Sequence, residues 1–447
     1  MNQKISLLFA LSLTLTGVAS AQDSTKAPLT MDEKISNVEG KVDGLNESYL
    51  ETMGTVNALS KIKVGGYLQG QWQLADSNTS AVGGFSGGGF PATSNQRILL
   101  RRARLKTTYD AGTSQYILEI EPLPKGVVLK DAEIVLKEPW LKTFTLDLGL
   151  QDRPFGFEIP YSSASMETME RSRGEQVVFN GEKDLGVTLG INPTEKMGML
   201  SVLNLKGGLF TGTQGYNGGT GDEIDSTLDF IGRAGFKLPF NDLNMDFDGG
   251  VSYYAGKTLG VNDSLYQMSG TALVDSVGAF VKQKNKTVDR SVLGFDAQFY
   301  FSIPVVGDMI GGSSIRGEYW NGTTIGTLTS SVPYGLATTP MVERKFMSWY
   351  ATYIQNFGSL FQTVVRYDVY DPNTDVKGSD IGVAANGKLG SADIMYSTLG
   401  LGLLYYYDSH VKLVAYYDMI TNENASTGTF SGDIADNVFT LRAQVKF

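Results

Sequence analysis

Residues 436–447, DNVFTLRAQVKF, decide the fold. Phe439, Leu441, Ala443, Val445 and Phe447 fall on one face of an extended chain, and Thr440, Arg442, Gln444 and Lys446 on the other. Alternation with period two over this length marks a β-strand with one apolar and one wet face. The same pattern recurs upstream. From Ile62 onward helical periodicity is absent, and about sixteen alternating segments follow: 62–75, 95–110, 113–121, 127–138, 143–151, 183–192, 198–211, 227–238, 243–256, 288–303, 313–321, 344–356, 360–370, 393–408, 410–421 and 436–447. No fixed repeat period accompanies them, which argues against a propeller or a β-helix.

The links between these segments carry further information. Short turns at 110–113, 239–242, 356–359 and 408–409 fall between long segments at 76–94, 152–182, 257–287, 322–343 and 371–392. Alternating long and short links are expected of a membrane barrel with loops at one rim and tight turns at the other. A soluble β-sandwich has no reason to show them. The faces can be assigned from charge, because an ionised side chain at the bilayer midplane costs roughly 2–4 kcal/mol on the lipid side. On 95–110 this places Ala103, Leu105 and Tyr109 against lipid and Arg102, Arg104 and Lys106 in the lumen. On 410–421, Val411, Leu413, Ala415, Tyr417 and Met419 face out, with His410, Lys412 and Asp418 inside. Tyr253-Tyr254 and Tyr405-Tyr406-Tyr407 lie near strand ends, where aromatic girdles belong.

The N-terminal region is different. Residues 1–4 are short and basic, 5–18 apolar, and Ala19-Ser20-Ala21 forms a small-residue cleavage site, so 1–21 are expected to be a secretory signal peptide. The apolar run is too short to span a bilayer comfortably, and no later run of about 20 apolar residues exists. With Cys absent, lipoprotein processing, disulfides and thiolate chemistry are excluded. Residues 22–61 are read as a periplasmic segment. Within it Ile35, Val38, Val42, Leu45, Tyr49, Thr52, Val56 and Leu59 follow alternating three- and four-residue steps, a heptad pattern with one polar slip. Gly40, Gly44 and Gly54 would each weaken an isolated helix by about 1 kcal/mol relative to Ala. Such a helix needs support, either as a coiled coil between chains or lying on the barrel.

Composition narrows the function. The 447 residues carry a net charge of −10, so nucleic acid is not an expected partner. Mean hydropathy is −0.10, as expected where lipid-facing and lumen-facing residues cancel along each strand. His410 is the only imidazole and sits beside a tight turn, which leaves no nucleophile, base and orienting group for a hydrolase; no enzymatic activity is expected. The run Asp371, Asn373, Asp375, Asp380 echoes a calcium loop but lacks its glycine and closing glutamate, so no metal or cofactor is expected. Gly-rich 83–89 and 218–221 lack the Lys-Ser/Thr of a phosphate-binding loop.

Strand 436–447, ending on an aromatic residue, resembles the closing strand of bacterial outer-membrane barrels. Three segments together resemble the phosphate-selective porin O and P family: Arg101-Arg102-Ala103-Arg104-Leu105; 151–158 (QDRPFGFE) leading to Met169-Glu170-Arg171-Ser172; and 441–447 (LRAQVKF). The resemblance covers 62–447 and implies a sixteen-stranded trimeric porin with loops folded into the lumen. That family's phosphate-binding basic cluster has no residue-by-residue counterpart here.

The expected fold is thus all-β: a transmembrane antiparallel barrel of about sixteen strands over 62–447, preceded by a short helical segment. The expected function is passive diffusion of small hydrophilic solutes and ions through a constricted, charged lumen in the bacterial outer membrane. Lipids and a homotrimer are the expected partners. The alternatives are an anion- or phosphate-selective channel, and a structural protein tethering the envelope through its coiled coil. The segment 152–182 is counted as the third long outward connection and, by analogy with the inward third loop of general porins, is assigned to the constriction. Its charges Glu158, Glu167, Glu170, Arg171 and Arg173 are candidates to line the pore opposite a basic wall of Arg102, Arg104 and Lys106, since opposed charges in a narrow channel set ion preference.

Overall fold

The computed structural model describes residues 30–77, 84–124, 126–212, 226–260, 264–275, 286–306, 309–332, 336–337, 340–426 and 430–447, and every structural statement concerns these. The expected signal peptide and the Gly-rich segment 218–221 lie outside the described residues.

The chain divides into two units at Ser60. The first contains α1, Met31–Leu59. Thr30 caps it: its hydroxyl accepts from Glu33 N at 3.3 Å, while the Glu33 carboxylate accepts from Thr30 N at 2.8 Å. Asp32 and Glu33 in the first turn favour the positive end of the helix dipole. No residue of α1 is buried, so its heptad row is open along its length.

In the second unit, sixteen strands form one closed antiparallel sheet. They are β1 Ile62–Ala75, β2 Gln96–Asp110, β3 Ser114–Leu123, β4 Gly126–Lys137, β5 Phe144–Asp152, β6 Lys183–Ile191, β7 Leu203–Phe210, β8 Asp229–Phe240, β9 Met245–Gly260, β10 Lys286–Val306, β11 Met309–Thr327, β12 Met341–Phe357, β13 Phe361–Asp371, β14 Tyr396–Tyr406, β15 Val411–Asn422 and β16 Val438–Lys446. Short strands Leu265–Ser269, Ala272–Asp275 and Leu336–Ala337 pair within the rim loops and onto the ends of β9 and β12. Closure is made by β1 against β16, from Tyr67 opposite Lys446 to Ala75 opposite Val438. Phe447 completes the seam by exchanging two backbone hydrogen bonds of 3.0 Å with Gly66. Gly66 is required there, because a Cβ would collide with the carbonyl of Arg104.

Alternation fixes the two faces. Gln69, Gln71 and Gln73 point inward and are buried, whereas Leu68 and Leu74 on either side of them face out. Leu105, Leu401, Leu403, Leu413 and Leu441 continue the apolar exterior, and Lys412 points inward as expected. Among the described residues no helix is long and apolar enough to cross a membrane; any crossing is by strands.

Several expectations need correction. The segment 198–211 begins its strand only at Leu203, since 195–202 form tight 3₁₀ turns broken at Gly198. The link from Leu123 to Gly126 is tight although it lies at the rim of long loops, so 153–182 is the third connection there but only the second long one. His410 lies in the turn after β14, with its side chain 65% exposed and its N–H on Asp408, rather than inside the lumen.

Leu401 sits mid-strand on the exterior. Replacing it with Arg is expected to lower the unfolding free energy in lipid vesicles by about 2–4 kcal/mol, measured by urea titration; an unchanged midpoint would put this face in the lumen.

Candidate functional site

The segment between β5 and β6 leaves the wall and enters the barrel. Its roots are apolar. Phe155, Ile159, Val177, Val178 and Phe179 pack on inward-facing Ile231, Tyr254, Val292, Trp320 and Phe346. Phe155 and Phe179 lie 4.7 Å apart, and the Trp320 ring meets them edge-on at 5.4 and 5.5 Å. Each buried aromatic is worth roughly 1.5–3 kcal/mol relative to an exposed one, enough to hold a connection that polarity alone would send into solvent.

Glu318 on β11 fixes the first turn. Its carboxylate accepts from Glu158 N at 2.5 Å, the Tyr350 hydroxyl at 2.7 Å and the Trp320 indole at 2.9 Å. Gly156 has φ +62°, and a Cβ there would collide with the Glu318 carboxylate. The loop ties itself off farther on. Glu158 accepts from Ser172 N and from its hydroxyl at 2.6 Å, and pairs with Arg366 on β13 at 2.9 Å. Arg171 donates to the carbonyls of Glu158, Ile159 and Tyr161 and pairs with Glu182. A one-turn helix, α2 (Arg173–Val178), starts at Ser172.

The loop then reaches the far wall. Ser163 meets the Tyr67 hydroxyl at 2.6 Å, Lys412 donates to the Met166 carbonyl at 2.8 Å, and Gln444 donates to Ala164 O at 2.9 Å. Glu167 pairs with Arg316 at 3.1 Å. In a ring of sixteen strands, β5 and β6 stand opposite β13 and β14, so a loop touching β1, β11, β13, β15 and β16 crosses the lumen.

Glu170 is the centre of the crossing. Arg101 grips its carboxylate bidentately at 2.8 and 2.8 Å, Arg102 approaches at 2.6 Å, and Arg442 at 2.9 Å. Burial alone would raise the Glu170 pKa, but the guanidiniums of Arg101, Arg102 and Arg442 hold it well below the ordinary carboxylate range. The barrel wall orients these guanidiniums: Arg102 donates to Gln69 Oε1 at 3.1 Å, and Arg442 donates twice to Gln71 Oε1 at 2.9 and 2.7 Å.

Of the residues singled out from sequence, Arg102, Glu158, Glu167 and Glu170 meet in this crossing. Arg104 points inward but pairs with Glu119 and Glu121, both at 3.3 Å, and Lys106 pairs with Asp131 at 3.1 Å. Arg171 and Arg173 do not face open lumen. The first knots the loop, and the second is stacked between Phe85 and Tyr396, 4.3 and 3.9 Å from their ring centres. Arg101 was missed because strict alternation turns it outward. A β-bulge sets Gln69 opposite Arg102 but Gly70 opposite Leu100, leaving Arg101 as the extra residue, so neighbouring arginines both face in. Arg442 was legible as a wet-face residue of the closing strand; Arg316 and Arg366 had no local signal.

The segment 371–380 is not a calcium loop. Asp371 accepts from Asn373 N, Asp380 from Lys377 N, and Asp375 pairs with Lys345. Their carboxylates diverge, and no metal-holding group of side chains occurs among the described residues. The loop is instead fastened by the fully buried Arg344–Asp393 pair at 2.8 Å.

No family model and no curated protein matches the chain. Solved structures do. OprB of Pseudomonas putida is 12% identical, covering 88% of this chain and 96% of that one, with a TM-score of 0.52. The anion-selective porin of Comamonas acidovorans (12%, 86% and 99%, TM-score 0.49) and the outer-membrane channel DcaP of Acinetobacter baumannii (12%, 86% and 97%, TM-score 0.49) are also similar. At such identity the likeness shows the fold, an outer-membrane-type barrel.

A carboxylate whose folded pKa is depressed contributes stability above its ordinary pKa and loses it as pH falls through the folded value. The Glu170 latch is therefore expected to survive at pH 4.5, its ordinary value, and to release only well below it. Protease protection of the loop across a pH series checks this; release at or above pH 4.5 would contradict it.

Proposed function

We propose that the chain is a bacterial outer-membrane porin through which small hydrophilic solutes and ions diffuse passively. The observation that carries this is a sixteen-stranded barrel whose lining is polar and charged and whose lumen is crossed by its own loop. Barrels of this size leave room for an aqueous channel, and an inward loop reduces the opening to a charged constriction where ion preference is set. Arg101, Arg102 and Arg442 on the wall, with Glu158, Glu167 and Glu170 on the loop, form that constriction. Arg104 and Lys106 form a flanking basic stretch.

A preference for anions is the second part of the proposal. Three guanidiniums converge on the single carboxylate of Glu170, and Lys412 beside them bonds only loop carbonyls. Around Glu170 positive charge is therefore in excess. Kinship with the phosphate-selective porin O and P family is supported by the three sequence segments, which meet in the constriction through Arg101-Arg102, Glu170 and Arg442. The open heptad row of α1 supports assembly as a trimer on the periplasmic side, after removal of residues 1–21.

Reconstitution in a planar bilayer under a KCl gradient tests the proposal. Stepwise currents with an anion-selective reversal potential are expected, and R102E/R442E is expected to move the reversal potential toward cation selectivity. Folded, heat-modifiable protein without current would instead favour a structural tether.

A further inference from the structure

We propose that Arg101, Arg102 and Arg442 form a binding site for small carboxylate solutes, and that Glu170 occupies it as a built-in competitor. The inference rests on the channel reading and adds a ligand class and a means by which the constriction responds to its solute. Three observations carry it. The Arg101 contact is the fork-on-carboxylate geometry by which arginine recognises carboxylates in general. The guanidiniums belong to the wall: Gln69 and Gln71 hold Arg102 and Arg442 through bonds that do not involve the Glu170 carboxylate, and the further loop contact of Arg442 is with the backbone carbonyl of Met169 at 2.7 Å. One member is open to the lumen: the Arg101 side chain is 27% exposed, against 5% for Arg102 and 3% for Arg442.

The site has no spare volume. The adjoining cavity, bounded by Glu170, Arg173, Arg366 and Asp418, measures about 30 Å³, room for a water or so. A solute carboxylate reaches the three guanidiniums only by displacing that of Glu170. It would leave the loop tethered by Glu158 on Arg366, by Glu167 on Arg316, by Arg171 on Glu182 and by the bonds of Ser163, Ala164 and Met166 to Tyr67, Gln444 and Lys412, so displacement frees the Glu170 side chain without releasing the loop. A site occupied by a tethered group presents itself to free ligand only for the fraction of time it is vacant, and its apparent affinity falls by that fraction.

Propionate, which reproduces the end of a glutamate side chain, is the probe. Calorimetric titration of the detergent-folded full chain measures binding independently of any current. E170Q removes the competitor's charge and is expected to bind propionate about tenfold or more tightly than the unmodified chain. Adding R442Q to E170Q is expected to reverse that gain. Should E170Q fail to assemble, E170A carries the same expectation. Equal or weaker binding by the variant lacking Glu170 would overturn the proposal, as would a gain that survives R442Q. Binding that follows the expected order in a protein without bilayer current would refute the channel reading and leave this site standing. Anion-selective current without competition would do the reverse.

Discussion

Everything in the barrel depends on the pairing of β1 with β16. A bilayer offers no water to an unpaired backbone N–H or carbonyl, so a sheet can cross it only when both edges are joined. The ladder from Tyr67–Lys446 to Ala75–Val438 performs that closure, and Phe447 extends it to Gly66 at one end. Once the sheet is closed, the two faces become different solvents. Alternation along the strands is the response, with leucines outside and glutamines and charged residues inside.

The lumen then poses the opposite problem. A polar interior gives a loop no general reason to stay within it, and the inward segment uses two devices at different depths. Its roots bury Phe155, Ile159 and Phe179 against Trp320 and Tyr254, a small apolar core set into a polar wall. Its crossing relies on charge, through Glu158 on Arg366, Glu167 on Arg316 and Glu170 on its three arginines. Buried ion pairs of this kind are costly to break, because one partner's loss leaves the other desolvated and uncompensated. They fix position more than they add stability. The same chemistry that holds the loop leaves an excess of guanidinium at the crossing, the feature on which the proposed anion preference rests.

Much of this was legible in the chain. Period-two alternation located all sixteen strands, and charge phase placed Arg102, Arg104 and Lys106 inside. Motif spacing brought Arg102 and Glu170 into one argument. What escaped had physical causes. The bulge at Arg101 breaks the alternation on which face assignment rests, and nothing in ILLRRARL announces the extra residue. The apolar roots of the loop obey neither strand nor helix periodicity. Arg171 and Arg173 carry the same charge as the wall arginines, but whether a guanidinium faces water, a carbonyl cluster or two aromatic rings is set by contacts remote in sequence, such as Tyr396 with Arg173.

The loop between β5 and β6 crosses the lumen, and under the proposed function it sets the conducting cross-section. The most direct test is single-channel conductance of a variant in which the crossing segment 161–170 is replaced by a short Gly-Ser link, leaving the roots at Phe155 and Phe179 in place. A severalfold rise in unitary conductance with reduced ion preference is the predicted result. Unchanged conductance and selectivity in a correctly assembled barrel would show that the loop does not constrict the channel.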